Sequence, residues 1–187
     1  MPYAASRPNY RGRPLGPRHV QYPPKTKHDL TRNLFALLHD LGHTMQAISA
    51  ACGYPIDTLR RWRNGYSRPR VIDLENVAGC FGLRLGVDVL PMAAVAPGRV
   101  SGNDWTCRAA SRVTRQFFQL LHDWQLSPAA VATSIGRAPE TFSIWSRGVR
   151  SPYINEMESA VYALGCRLIW EPQSQRSSTG TVLVAQS

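Results

Sequence analysis

No stretch of this 187-residue chain approaches the roughly 18 consecutive apolar residues that a membrane-spanning helix needs. The first thirty residues also lack the apolar centre of a secretory signal, so the expected location is the cytoplasm. Cysteine is scarce. Cys52, Cys80, Cys107 and Cys166 lie far apart, with no C-x-x-C pair and no clustered histidines, which excludes the common zinc spacings. Cys52 and Cys166 stand among apolar residues and read as small buried hydrophobes of a reducing compartment. A glycine-rich phosphate loop and a nucleophile elbow are both missing. No catalytic constellation is present, so no enzyme, metal or cofactor is expected.

Lysine is nearly absent as well. Of 22 basic residues 20 are arginine, which suits bidentate contacts to phosphate and guanine. The formal charge of +10 is unevenly placed: residues 1–30 hold six Lys/Arg against one Asp. A polyanionic partner, nucleic acid first, accounts for such a balance, with simple solubility as the alternative. A hydrophobic fraction of 43% excludes wholesale disorder.

The most informative feature is an internal repeat with a constant offset of 83 residues. Laying Thr31–Leu85 over Thr114–Leu168 needs no gap, and 17 of 55 positions are identical. Among them are Phe35/Phe118, His39/His122, Asp40/Asp123, Gly53/Gly136, Trp62/Trp145, Gly65/Gly148, Pro69/Pro152 and Gly82/Gly165. The chain is a duplication of one small unit. Each copy reads as four helices and a strand. In copy 1 the helices fall near Leu30–Leu41, from a Thr44 cap to Cys52, at Ile56–Asn64 and at Val71–Cys80, with Gly and Pro as punctuation. In copy 2 the punctuation is Ser127, Gly136, Gly148, Pro152 and Gly165. The alternating runs 83–89 and 166–171 read as strands with one buried face. A lone strand needs a partner, and the simplest is its counterpart, in the same chain or in a second one. The expected organisation is a basic Pro-rich arm (1–28), unit 1 (29–90), a linker (91–104), unit 2 (105–172) and a tail (173–187).

The run from Leu126-Ser-Pro-Ala-Ala-Val-Ala to Gly136, then Thr141-Phe142, Trp145, Gly148 and Pro152, resembles the lambda-repressor/Cro-like (XRE-type) helix-turn-helix family. Copy 1 follows through Thr44, Gly53, Thr58-Leu59, Trp62, Gly65 and Pro69. The resemblance implies a mainly helical fold of two helix-turn-helix domains, each followed by a short strand. It further implies that the third helix of each copy enters the DNA major groove. On that basis the base-reading positions are Ile56, Asp57, Arg60 and Arg61 in copy 1, and Pro139, Glu140, Ser143 and Ile144 in copy 2. Arg60 or Arg61 suits a guanine edge, a pairing worth about 1–3 kcal/mol of discrimination. Asp57 and Glu140 either accept from a cytosine amine or cap their helices. Phosphate contacts are expected from Thr44, Arg63, Asn64, Arg68 and Arg70, and from Ser127, Arg137, Arg147 and Arg150. The family's glutamine at the start of its second helix is Met45 here and Pro128 in copy 2.

The resulting expectation is a sequence-specific regulator of transcription at the nucleoid, with repression favoured over activation on family grounds. Two unlike reading helices imply an operator of two unlike half-sites about one helical turn apart. The arm residues Arg7, Arg11, Arg13, Arg18, Lys25 and Lys27 are candidates to follow the minor groove or the backbone. Two other readings stand beside it: a DNA-binding antitoxin with a toxin partner, and an architectural DNA-binding protein. The His-Asp pairs read as shared packing positions rather than metal ligands, and Trp62 and Trp145 as core residues.

Overall fold

A computed structural model describes residues 29–90 and 107–173. It is mainly helical, with eight helices and one two-stranded sheet among those residues. In copy 1, α1 (Asp29–Asp40), α2 (Met45–Cys52), α3 (Ile56–Arg63) and α4 (Val71–Gly79) precede β1 (Leu83–Val89). In copy 2, α5 (Arg112–Asp123), α6 (Pro128–Ser134), α7 (Pro139–Ser146) and α8 (Ile154–Tyr162) precede β2 (Cys166–Pro172). The expected arm and linker, and the tail after Gln173, lie outside the described residues.

Local chemistry sets the boundaries. Thr44 caps α2, its hydroxyl accepting the Ala47 N–H at 3.2 Å, and Ser127 does the same for Ala130 at the start of α6. Gly53 ends the second helix of copy 1 in the left-handed region, where glycine carries no Cβ penalty. One connection breaks the glycine rule. Between its first and second helices copy 1 uses Gly42 at φ 83°, whereas copy 2 holds Gln125 at φ 54°. The left-handed conformation costs a side-chain-bearing residue about 1–2 kcal/mol, partly offset by the entropy glycine loses on folding. Gln125→Gly should therefore raise stability by about 0.5–1 kcal/mol, read as a higher denaturant midpoint at unchanged slope. An unchanged or lower midpoint would show that the Gln125 side chain makes up for its strain.

The two copies are joined by contacts that recur in symmetric pairs. Strand β1 runs antiparallel to β2, and the register centres on Gly86 opposite Ile169, which are equivalent positions of the repeat. On one side of that centre Arg84 pairs with Glu171 at 2.8 Å; on the other Arg167 pairs with Asp88 at 2.8 Å. The ladder is extended at its ends by Leu90 N–H to Gly165 O and Gln173 N–H to Gly82 O, again equivalent pairs. A second junction forms before α4 and α8. There Arg70 bridges Tyr153, with Val71 N–H donating to Pro152 O (2.9 Å) and Ile154 N–H to Pro69 O (3.1 Å). Both junctions lie on one pseudo-two-fold axis.

The halves also interlock. Helix α5 packs on β1 and α1 on β2, so each first helix sits on the other copy's strand. Trp170 Nε1 donates to Leu30 O across the copies at 2.9 Å. Glu75 of α4 accepts the N–H groups of Arg112 (3.2 Å) and Val113 (2.8 Å), capping α5 of the other copy. Its repeat counterpart Glu158 does the same for Leu30 at the start of α1. Burial pushes both carboxyls above their ordinary value, and the N–H groups they accept pull them back. One continuous core runs through both copies, from Leu34, Leu38, Leu59 and Leu74 to Phe117, Phe142, Trp145 and Met157.

Candidate nucleic-acid interface

Helices α2 and α3 are joined by the three residues Gly53-Tyr54-Pro55, and the turn is closed by Ser49 Oγ donating to Tyr54 O at 2.7 Å. A second tie fixes the pair to the body: Tyr54 Oη donates to Asp73 of α4 at 2.9 Å. Burial holds the Tyr54 phenol above its ordinary pKa. Copy 2 builds the same tie from different chemistry. Arg137, at the position of Tyr54, pairs with Glu156, at the position of Asp73, at 3.1 Å. Asp73 and Glu156 also accept the backbone N–H of Arg70 and Tyr153, closing the first turns of α4 and α8.

The outer face of α3 follows from its buried one. Leu59 and Trp62 are buried, so at about 100° per residue Asp57 and Asn64 lie opposite the core, with the exposed Arg60 and Arg61 on either side of them. Arg61 is exposed, and its side chain has no hydrogen-bond or ion-pair partner among the described residues. Arg60 instead contacts Asp57 at 3.3 Å, one turn earlier on the same helix. Neither acidic residue acts as a side-chain cap, because Pro55 and Ala138 hold the N-cap positions of α3 and α7. Ile56 is half-buried. On α7, Pro139, Glu140 and Ser143 are exposed, while Ile144, the counterpart of Arg61, is half-buried against the core.

The expected phosphate contacts divide. Thr44 and Ser127 have their hydroxyls on helix caps. Arg68 and Arg150 are exposed, and Arg147 is exposed with its Nε on Ser143 O of its own helix. Arg63 is half-buried, its Nε 3.4 Å from Asn64 Oδ1. Arg70 is engaged at the axis, donating to Ser151 O at 3.1 Å with its guanidinium 5.2 Å from the Tyr153 ring centroid. Arg137 is held by Glu156 as described. The structure thus gathers Asp57, Arg60, Arg61 and Asn64 on one outer surface and assigns Arg70 and Arg137 to structural contacts. The six basic arm residues lie outside the described residues.

Sequence reasoning missed Tyr66 and Val149. They are equivalent positions just past the helix-ending glycines, and they are 74% and 71% exposed. An apolar residue at the same point of both copies was the available signal. Among the described residues no group of His, Cys, Asp and Glu is placed to hold a metal, and no helix is long and apolar enough to cross a membrane. His39 and His122 each lie 3.4 Å from the adjacent aspartate.

Comparison with protein-family models, with curated proteins and with solved structures found no match to this chain.

Proposed function

We propose that the chain is a sequence-specific duplex-DNA-binding regulator of transcription, with two lambda-repressor-like helix-turn-helix heads in one polypeptide. Repression is the favoured sign, and the nucleoid the place of action. The observation that carries this reading is the repeated α2–α3 and α6–α7 pair on a two-fold frame, with the exposed Arg61, its side chain unpartnered among the described residues, on the outer side of α3. A two-fold axis sets both third helices at one height and facing one way, as reading two successive major grooves requires. Seven residue steps separate each helix end from the Arg70–Tyr153 junction, at most about 25 Å per side. That span leaves room for the separation of about 34 Å between half-sites. Because α3 presents Arg61 where α7 presents Ile144, the half-sites differ.

The test is selection of bound duplexes from a random library at physiological salt. The expected product is a site with two unlike halves about one turn apart. Arg61→Ala should then lose about 1–3 kcal/mol at a single guanine, a fall of about 5–150-fold for that site alone. If no sequence enriches while binding still falls steeply with salt, the contacts are to phosphate only. The specific-regulator reading then gives way to an architectural one.

A further inference from the structure

The segment that enters copy 2 is attached to the end of α7. Arg108 N–H donates to Ser146 O at 2.7 Å. Ala109 is buried, and Arg115 fixes the segment by donating to the carbonyls of Ala109 (2.8 Å) and Ala110 (3.0 Å). Gly148 makes the approach possible, since a Cβ there would stand 2.5 Å from Arg108 O. The backbone of Arg108 is therefore fixed while its side chain is exposed and has no partner among the described residues. Arg147 and Arg150, both exposed, flank the same glycine. Three exposed arginines thus leave the chain close to one backbone contact just past α7, with no carboxylate paired to any of them among the described residues.

We propose that this cluster is a phosphate clamp: Arg108, with Arg147 and Arg150, grips the DNA backbone beside α7. The proposal rests on the DNA-binding reading above and gives copy 2 a different task from copy 1. Copy 2 presents a nearly uncharged reading face and draws its hold from backbone charge, supplied in part by a residue outside the helix pair. Arginine suits this role because its planar fork meets two phosphate oxygens at once. The repeat offset places Lys25 at the position of Arg108, so a basic residue stands before the first helix of both copies.

The experiment compares full-length wild type, Arg108→Ala, Arg61→Ala and Arg112→Ala on a mixed-sequence duplex of about 30 base pairs, between about 50 and 200 mM salt. Arg108→Ala keeps the backbone bond to Ser146, so its thermal unfolding should match wild type. Its affinity should fall severalfold for every sequence, and the slope of log affinity on log salt should shrink by about 0.9, one phosphate contact. Arg112→Ala removes the same charge from the groove lined by Glu75 and Arg84, and its slope should not change. Equal losses in Arg108→Ala and Arg112→Ala would overturn the clamp, leaving only diffuse charge. An unchanged slope in Arg108→Ala, with binding sensitive to Arg61→Ala, would overturn the clamp and leave the DNA reading standing. A wild type that does not bind duplex even at the lowest salt would overturn both.

Discussion

A fragment ending at Leu90 should not fold as a monomer. Cut from copy 2, β1 loses its whole ladder, and a single strand has no stability of its own. Helix α1 loses both the Glu158 carboxylate at its N-terminus and the Trp170 contact to Leu30. The α5 helix that packs on β1 is gone as well, so Leu83 and Leu85 keep only the cover of their own copy. What remains has 62 described residues, a size at which a domain buries too little surface to tolerate such losses. One folded state stays open to it: a homodimer in which β1 pairs with its own copy and Arg84 meets the Asp88 of a second molecule. Circular dichroism and sedimentation across a range of concentrations test this. The fragment should be unfolded when dilute and folded only when associated, and adding the 107–173 fragment should restore a one-to-one complex. A folded monomer at low concentration would refute the interlocked description.

Phe142→Ala should destabilise the whole molecule, not only copy 2. Phe142 is fully buried, with the Phe117, Phe118 and Trp145 rings at centroid distances of 5.6, 6.0 and 4.8 Å. Removing a buried phenylalanine costs about 3–5 kcal/mol, and lost ring contacts account for part of it. Against a typical total of about 5–15 kcal/mol that is a large share. The expected midpoint falls by on the order of 10 °C. Because the core is continuous, calorimetry should record one transition, displaced as a whole. Leu59, the counterpart in copy 1, is as fully buried, and Leu59→Ala should cost about 2–5 kcal/mol in the same single transition. Two separate transitions, with one unmoved, would mean that the copies unfold independently.

Much of this architecture could be read in the residues. Gly53, Gly136, Pro69 and Pro152 mark helix ends because their backbone limits are local. The caps at Thr44 and Ser127 and both strands follow from equally short-range patterns. Beyond the pairing of the two strands, side-chain contacts were hidden because no local rule says which distant group a side chain meets. Arg70 and Arg137 read as phosphate ligands, and the structure sets them against Tyr153 and Glu156. The clue to the second was a paired change, Tyr54 with Asp73 becoming Arg137 with Glu156, which keeps one tie by other means. Glu75 and Glu158 were among the identical positions, on the outer part of a helix where identity has no packing reason. Their role emerges only when each is seen at the start of the other copy's first helix. For the candidate interface, the third helix was legible from its glycine punctuation, and Arg60 and Arg61 were singled out by the family resemblance. The placement of Arg108 was not, since it depends on a backbone bond to Ser146 formed 38 residues along the chain.

The register centred on Gly86 and Ile169 is what two identical chains would form around a true two-fold axis. Covalent joining removes the association equilibrium such a pair would obey. For the DNA target proposed above, occupancy would then rise with the first power of protein concentration, not the second. Joining also separates the fates of the two copies. A symmetric pair must accept each mutation twice, while Arg61 and Ile144 sit at one geometric position and were free to diverge.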